Sequence, residues 1–278
     1  MELDELTTFL QIVESGSLAG AAARLHVTPS TVTARLNTLE QQLGCRVLHR
    51  KKSGAQLTSA GFKLQRYAEL MTQLWRQARH ELSMPPGVVG ICNIGAAFDL
   101  WRDVAAHFID QMRRSCPRVA TATWPGDDRA LQRWLDSGLI DIAFCYAARA
   151  GDGFSSRLLF EDQLIMVSAK PDQRAHLDDS YIYVDHGEEF RRQHAHAFVG
   201  AAPALVTIAA SEWALEYLQQ CGAKGYLPAR VAAPALRTGR LHRVAGAATF
   251  MRNVYLVQST RSVREWEWYE TAIAAVQH

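Results

Sequence analysis

The sequence TPSTVTARLNTLEQQLG at residues 28–44 has the local signals of a short, capped helix. Thr28 is a favourable N-cap residue, and Pro29 at the first helical position loses no hydrogen bond, because the N–H group there has no partner within a helix. Gly44 is typical of a helix end. Four apolar residues follow one another at spacings of four, three and four and therefore share one face: Val32, Leu36, Leu39 and Leu43.

The opposite face of this helix is polar, small and uncharged. A helix exposed only to solvent normally carries Glu and Lys, whereas hydroxyl and amide groups suit a helix that enters the major groove and contacts base edges. An ordinary amphipathic helix is the alternative, but the neighbouring elements favour contact with DNA. The residues predicted to recognise bases are Thr28, Pro29, Ser30, Thr31, Thr33, Ala34, Asn37 and Thr38.

The flanking segments complete a small DNA-binding domain over residues 1–58. Apolar residues at helical spacing predict a helix over about 3–15, and a run of very small side chains predicts a second, closely packed helix over 18–25. Residues 45–57 alternate like two strands around a basic turn, which is the pattern of a wing that contacts phosphates. This order predicts a winged helix-turn-helix, in which the helix at 28–43 is the recognition helix.

Positive charge is concentrated in the same region. Between residues 24 and 58, six Lys and Arg side chains face one carboxylate, Glu40, although the net charge of the whole chain is only +2. Such an excess indicates a phosphate-binding surface, with a merely solvated surface as the alternative. The predicted phosphate contacts are Arg35, Arg50, Lys51, Lys52 and Ser53.

A long helix over residues 59–84 links this domain to the rest of the chain. Its apolar side chains step by threes and fours along one side, and a helix beside so small a domain cannot bury that stripe alone. We predict that the stripe pairs with a second copy of the chain, packing on its own domain being the alternative. The stripe consists of Leu64, Tyr67, Met71, Leu74, Ala78 and Leu82.

After Pro85-Pro86-Gly87 the pattern changes to alternating strands and helices. Strands at 88–94, 118–124 and 140–146 enclose helices at about 100–115 and 128–137, an order that predicts a parallel sheet covered by helices. A second set has predicted strands at 163–168, 181–184, 204–209, 225–232 and 253–258, with helices at 188–196, 212–221 and 262–276. The prediction is a two-lobed α/β domain over 85–278, with lobe I at about 88–162 and 253–278, lobe II at about 163–252, and a cleft between the lobes.

Composition excludes several other classes of protein. No stretch approaches the roughly 20 apolar residues of a membrane span, and the acidic start is unlike a signal peptide, so we expect a soluble cytoplasmic protein with no membrane partner. The five cysteines lie far apart, which predicts neither disulfides nor a zinc site, and we expect most of them to be buried. An enzyme with a DNA-binding module, such as a ligase or kinase, would show a P-loop, a G-x-S-x-G or an H-E-x-x-H motif, and the sequence has none of these. We therefore predict no catalytic residues, no metal and no cofactor.

The N-terminal residues resemble the LysR-type transcriptional regulators. The resemblance is extended up to about residue 83 and weaker beyond, where it rests on the strand–helix order, on 138–143 and on 225–228. Two positions depart from the family pattern, which often has Gln in place of Pro29 and Arg in place of Ala34. Arg35 is the candidate to replace that cation by contacting phosphate. The matching segments are Phe9-Leu10, Gly16-Ser17-Leu18, Ala21-Ala22, Leu25, 28–33, Leu39-Glu40, Leu43-Gly44, Leu48-His49-Arg50 and 57–61.

The resemblance implies a transcriptional regulator that binds double-stranded promoter DNA as a homodimer or homotetramer. It also implies functional contact with RNA polymerase and an effector domain similar to periplasmic binding proteins, with a small molecule between the lobes. A free-standing binding protein of the periplasmic type is disfavoured because a signal peptide is missing.

The effector cleft has candidate residues but no clear ligand. In the resembling fold, hydroxyl groups at the N-terminus of the first helix often hold the effector, whereas this chain has no hydroxyl at 96–101 and places Asp99 at the expected N-cap. Either Asp99 faces elsewhere, or the effector is neutral or cationic, or the cleft is empty. Ser211 is expected to cap the helix that follows it, and His194 and His196 are expected to be exposed. The candidate cleft residues are Ala97, Phe98, Asp99, Trp101, Trp124, His186 and Ser211.

Overall fold

The structure is a computed structural model that describes residues 2–51, 54–151 and 153–260, together with Trp266 and Tyr269. The chain divides into two compact units, Met1–Pro86 and Gly87–His278. The boundary lies two residues after the predicted start of the effector domain. The predicted helix at 262–276 lies outside the described residues except for Trp266 and Tyr269.

Unit 1 is built on three short helices, and the chain's own capping residues bound them. They are α1 (Leu3–Ser15), α2 (Leu18–Leu25) and α3 (Pro29–Leu43). Gly16 ends α1 at φ 72°, and the Ser17 hydroxyl then caps α2 by accepting the N–H of Gly20. Thr28 caps α3 in the same way by accepting the N–H of Thr31. Their apolar faces form one core with Leu6, Phe9, Ile12, Val32, Leu36 and Leu39 fully buried.

A two-stranded hairpin and a long helix complete unit 1. Strands β1 (Leu48–Lys51) and β2 (Gly54–Leu57) pair antiparallel, and α4 (Ser59–Leu82) begins after the N-cap Thr58. The hairpin packs closely on the α1–α2 turn, since the N–H of Ala55 donates to the carbonyl of Gly16 at 2.8 Å. Gly54 is required there: its φ is +127°, and an added Cβ would lie 2.5 Å from the Gly16 oxygen.

The first half of unit 2 has the predicted parallel βαβαβ order. Strand β3 (Gly90–Ala96) lies between β4 (Val119–Pro125) and β5 (Ile142–Cys145) and is parallel to both. Helices α5 (Ala106–Ser115) and α6 (Asp128–Ser137) provide the connections. The predicted helix at 100–115 differs at its start, where a 3₁₀ turn at Phe98–Leu100 and a π turn at Trp101–Ala105 precede α5.

Two long strands, β6 (Phe154–Ser168) and β11 (Phe250–Ser259), join the lobes. They pair antiparallel, and β11 also pairs with β5, so lobe I continues into lobe II through one seven-stranded sheet. The remaining strands are β7 (Tyr183–Val184), β8 (Thr207–Ile208), β9 (Lys224–Pro228) and β10 (His242–Arg243). The remaining helices are α7 (Glu188–Ala197), α8 (Ser211–Cys221) and α9 (Ala229–Arg237).

Three sequence-based expectations about these elements are wrong. The strand predicted at 225–232 ends at Pro228, and α9 follows because Val231, Ala232 and Ala235 are buried at helical spacing. The strand predicted at 163–168 begins at Phe154. In its first half, apolar and polar residues do not alternate regularly, so the sequence pattern there does not indicate a strand. Only two cysteines, Cys92 and Cys145, are buried, whereas Cys116 is half-buried and the other two are exposed; all five are free.

Candidate DNA interface and effector cleft

The outer face of α3 is open along its length. All eight residues predicted to recognise bases are exposed or half-buried, in positions set by the buried Val32, Leu36 and Leu39 behind them, and Thr28 also caps the helix start. The Thr28 hydroxyl lies 2.7 Å from that of Ser30 and 2.8 Å from that of Thr31. The first turn of the helix therefore presents a compact group of three hydroxyls.

Two further hydroxyls on this face donate to the helix itself. Thr33 Oγ1 donates to the Pro29 carbonyl at 2.9 Å, and Thr38 Oγ1 donates to the Ala34 carbonyl at 3.1 Å. A threonine in this state presents its oxygen lone pairs as acceptors, and its methyl group as an apolar contact, to whatever lies beyond the helix. Such groups match the amino groups and the thymine methyl of the major groove.

The wing residues lie in or beside the hairpin. Arg50 and Lys51 belong to β1, whereas Lys52 and Ser53 lie outside the described residues. Glu40, which the sequence analysis treated only as a charge, fixes the start of the hairpin: its carboxylate accepts the N–H groups of Val47 at 2.9 Å and Leu48 at 3.2 Å. The sequence signal for this structural role was that Glu40 is the one carboxylate among the basic residues of 24–58.

Arg35 makes contacts within the domain. Its guanidinium forms an ion pair with Asp4 and lies 3.5 Å from the Thr8 hydroxyl, so that it ties α3 to α1. About 29% of its side chain remains exposed. A phosphate contact by Arg35 stays a prediction, and DNA would have to share this side chain with Asp4.

The long helix α4 packs on unit 1 through part of its surface only. Ala68 and Thr72 are buried, and Leu64, a member of the predicted stripe, packs on the unit 1 core. The stripe members Leu74 and Ala78 are half-buried. A row of large apolar side chains stays exposed, and it includes one residue that the stripe did not contain, Trp75. The exposed row is Tyr67, Met71, Trp75 and Leu82, whereas the exposed Phe62 lies on the opposite side of the helix.

In unit 2 the carboxylate of Asp99 crosses from lobe I to lobe II. It accepts the backbone N–H and the hydroxyl of Ser211, both at 2.7 Å, and Asp99 is only 8% exposed. Both capping predictions were therefore wrong. Asp99 does not cap its own helix, since it lies in the 3₁₀ turn, and Ser211 does not cap α8, because its hydroxyl donates to Asp99 instead.

Two arginines surround Asp99 and extend the link. Arg252 Nη2 lies 3.6 Å from Asp99 Oδ2 and 3.4 Å from Asp162 Oδ2, and its guanidinium stacks 3.5 Å from the Tyr146 ring centre. Arg230, on α9, donates to the Asp99 carbonyl at 2.7 Å and to Asp103 at 2.8 Å. Neither arginine was predicted from the sequence. For Arg252 the signal was its place within a strand, β11, because a guanidinium buried there requires a carboxylate partner.

This environment sets the charge of Asp99 and His186. Burial alone would raise the pKa of Asp99, but the charge of Arg252 and the hydrogen bond from Ser211 help to hold it well below its usual range. Burial lowers the pKa of His186 and keeps the ring neutral. His186 Nε2 lies 2.9 Å from the Tyr226 carbonyl and must donate to it, so Nδ1 is an acceptor, and it has no hydrogen-bond partner.

Two cavities adjoin the Asp99–Ser211 contact, one lined by Asp99 and the other by the neighbours of Ser211, Ala210 and Glu212. A polar chamber of about 100 Å³ has four carboxylates in its lining, together with Tyr146, His186 and Arg252. An aromatic chamber of about 340 Å³ is lined by the rings of Phe98, Trp101, Trp124 and Trp213 together with Ala210 and Glu212. Ala97 and Phe98 line both chambers. The structure thus gathers every predicted cleft residue around the two chambers, and Ser211 contributes through Asp99.

His194 differs from its predicted exposure. It is only 8% exposed, and its Nε2 lies 2.7 Å from the Tyr181 hydroxyl among the rings of Phe190 and Tyr226, whereas His196 is exposed as expected. Burial lowers the pKa of His194 to about 4. Among the residues that the structure describes, no cluster of three or more side chains could hold a metal ion. No helix in that part of the chain has the length and apolar character needed to cross a membrane.

Known proteins match both units. Residues 3–62 match the helix-turn-helix of bacterial regulatory proteins of the lysR family, and residues 87–265 match the LysR substrate binding domain. The HTH-type transcriptional regulator HdfR of Salmonella dublin is 27% identical over 267 residues, which are 95% of this chain and 94% of that protein.

Solved structures of regulators share the fold. CbnR, described as a LysR family transcriptional regulator, has a TM-score of 0.72 at 19% identity and covers all of this chain and 98% of its own. ArgP of Mycobacterium tuberculosis has a TM-score of 0.54 at 22% identity, over 98% of this chain and 95% of its own. With a recognition helix and wing in unit 1 and a two-lobed cleft in unit 2, this chain belongs to the LysR family of DNA-binding transcriptional regulators.

Proposed function

We propose that this regulator binds a partly symmetric promoter site through α3 and the wing, as a homodimer or a homotetramer. The observation that supports this most directly is the open, uncharged face of α3, whose hydroxyls and methyl groups suit base edges. Lys and Arg side chains of the wing supply affinity by neutralising phosphates, so binding weakens as the salt concentration rises.

The exposed row on α4 supports pairing of two copies. A helix of 24 residues extends for about 36 Å, and Tyr67, Met71, Trp75 and Leu82 leave one side of it apolar. A second α4 in the same state would bury both rows. Two copies then present two recognition helices, which is why the DNA site should be partly symmetric.

The cleft of unit 2 is the proposed effector site. It lies between lobes that β6 and β11 connect, so a ligand that changes the relation between the lobes can alter how the regulator holds its promoter. We further propose that the regulator acts in the cytoplasm, where promoter DNA is found, and that it contacts RNA polymerase there.

The test replaces Ser30 with Glu on the exposed face of α3. A carboxylate in the first turn of a helix is favourable for the helix, so Ser30→Glu should leave the fold of unit 1 intact. Close to phosphates and base edges, the same charge should abolish specific binding. Fragments that bind the wild type are first identified by genome-wide mapping of bound DNA, and the variant is then measured on them by mobility shift.

The matched control is Gln42→Glu, which adds the same charge at an exposed residue in the last turn of α3, about three turns of helix beyond Ser30. Specific binding should survive in this variant. If Ser30→Glu binds the selected fragments as tightly as Gln42→Glu does, α3 does not recognise the bases.

A further inference from the structure

The cleft of this chain already contains an anion, the carboxylate of Asp99. It occupies the N-terminus of α8, where it accepts the first N–H group and the hydroxyl of Ser211. These donors are the groups with which a helix start would hold a ligand carboxylate or phosphate. Because the protein's own carboxylate saturates them, an anionic ligand would have to displace Asp99.

The aromatic chamber has the wall composition of a site for organic cations. Four rings line it, those of Phe98, Trp101, Trp124 and Trp213, and its one charged lining residue is the carboxylate of Glu212. Glu212 pairs at 3.1 Å with Arg102, which does not line the chamber. Aromatic faces attract cations through their quadrupoles, and Trp does so most strongly.

The polar chamber has the same preference. Four carboxylates line it, those of Asp99, Asp127, Asp128 and Asp185, against the one guanidinium of Arg252. Arg252 is committed to Asp99 and Asp162, so its charge is already balanced. Burial raises the pKa of Asp128 against the opposing effects of the Tyr146 N–H and of Arg252, and the carboxylate of Asp185 pairs with Arg191 at 2.9 Å outside the chamber lining.

His186 supplies a second, independent observation. Its side chain is fully buried, it lines the polar chamber, and its Nδ1 is an acceptor without a hydrogen-bond partner. The nearest carboxylate oxygen, Asp99 Oδ2, lies at 3.8 Å and is itself an acceptor. A ligand group that contacts Nδ1 would therefore have to be a hydrogen-bond donor, and an ammonium group provides up to three.

We propose that the cleft selects a small organic cation: an ammonium group on an apolar or aromatic body. The ammonium group is placed by the carboxylates and His186 of the polar chamber, and the body packs between the rings of the aromatic chamber. Phe98 and Ala97 line both chambers, so the two chambers are neighbours. This inference rests on the proposed role of the cleft as the effector site and names the chemical class of the effector.

The test uses three probes that share a phenylethyl body and differ in the end group: 2-phenylethylammonium, 2-phenylethanol and 3-phenylpropanoate. Binding to the full-length protein is measured by isothermal titration calorimetry at neutral pH. We expect saturable binding of the ammonium ion, binding of the alcohol weaker by at least about tenfold, which corresponds to about 1.4 kcal/mol, and no binding of the carboxylate. If the ammonium ion shows no saturable binding at millimolar concentrations, or if either other probe binds as tightly, the proposal is wrong.

Variants locate the site. Trp213→Leu removes an exposed ring of the aromatic chamber, and Asp185→Asn removes a carboxylate of the polar chamber. Each substitution should weaken binding of the ammonium ion by at least about fivefold, as expected for loss of one cation–π or charge contact. Leu205→Ala, at an exposed apolar residue that lines neither chamber, should bind it like the wild type. Equal binding by all three variants would place the cation elsewhere and overturn the assignment.

Specific DNA binding is measured on the same preparations without a probe. Intact promoter binding together with absent ammonium binding would refute the cation assignment alone. Ammonium binding without promoter binding would refute the proposed DNA-binding function and leave the cation site standing.

Discussion

At the scale of single residues, Asp99 shows how one buried carboxylate can hold two lobes together. Its burial costs solvation free energy, which is recovered only because Ser211 donates twice and Arg252 lies 3.6 Å away. Asp99 and Ser211 lie 112 residues apart in the chain, so their contact closes the cleft between separate segments. Loss of this carboxylate should therefore loosen the lobes without removing any core side chain.

The first prediction follows for Asp99→Asn. The amide keeps the shape but loses the charge beside Arg252, so the free energy of unfolding at neutral pH should fall by about 2–4 kcal/mol. The pKa of Asp99 is lowered in the folded protein, so this contribution is present above the unfolded pKa of about 3.9 and is lost as the pH falls below it. Urea unfolding of the wild type and of Asp99→Asn is measured from about pH 7 to about pH 3. The difference between their free energies of unfolding should become smaller at the acidic end.

The control for this experiment is Asp110→Asn, which breaks an exposed ion pair with Arg114 within one helix. Exposed pairs of this kind contribute less than about 1 kcal/mol, so stability should hardly change. If Asp99→Asn loses no more free energy of unfolding than Asp110→Asn does, the role of Asp99 is contradicted.

A second prediction concerns His194. Its pKa is lowered to about 4 by burial, so the neutral ring is favoured in the folded state. The stability that depends on this neutral ring is complete above the unfolded pKa of about 6.5 and is lost as the pH falls towards 4. Between about pH 7 and about pH 5, His194 should account for a loss on the order of 1–2 kcal/mol.

The measurement compares urea unfolding of His194→Gln with that of His196→Gln over this pH range. His196 is an exposed residue of the same helix. The loss of stability on acidification should be smaller in His194→Gln and unchanged in His196→Gln. Equal losses in the two variants would mean that His194 does not titrate as its burial requires.

At the scale of elements, the wing depends on α3 for its position. Glu40, near the end of the recognition helix, accepts two backbone N–H groups at the start of the hairpin. Gly54 lets the other strand approach the α1–α2 turn. The helix proposed to contact bases and the hairpin proposed to contact phosphates are thus fixed to each other through the backbone.

The third prediction is that Glu40→Ala loosens the wing. Two backbone donors lose a charged acceptor, which should destabilise unit 1 by about 1–3 kcal/mol and weaken promoter binding although a negative charge has been removed. Glu40→Gln keeps an acceptor oxygen and should lose less. Thermal unfolding and mobility shifts measure both effects, with Gln42→Ala as an exposed control on the same helix. If Glu40→Ala binds the promoter more tightly than the wild type does, removal of the negative charge has a larger effect than loss of the wing's position, and the prediction is wrong.

At the scale of the whole molecule, the apolar row of α4 determines the assembly that we propose. Trp75 is 50% exposed and Met71 is 41% exposed, on a helix that contacts its own unit through Ala68 and Thr72. Neighbouring apolar side chains at helical spacing are the surface from which helix pairs are made. Assembly and promoter affinity should therefore change together.

The fourth prediction is that Trp75→Glu halves the assembled mass. A charge in the centre of a paired apolar surface is not compensated, so the proposed α4 pair should separate. The change is measured by light scattering after size exclusion, against the chain mass of 31.0 kDa. His80→Glu introduces the same residue at an exposed position on the opposite side of α4 and should keep the wild-type mass. An unchanged mass for Trp75→Glu would remove α4 from the interface.

The sequence by itself determined unit 1 almost completely. The capping residues Ser17 and Thr28, the stop at Gly44 and the spacing of Val32, Leu36 and Leu39 act within a few residues, and local sequence is where such effects are encoded. For the same reason the βαβαβ order of lobe I was predictable.

Only the tertiary structure decided the cleft. Whether Asp99 caps its own helix or joins Ser211 depends on a segment 112 residues away, and whether His194 is exposed depends on the rings of Tyr181 and Tyr226, which belong to other segments of the chain. The pairing of Arg252 with Asp162 has the same origin, at a separation of 90 residues. Buried polar groups select partners by distance in space, and periodicity along the chain contains no information about that distance.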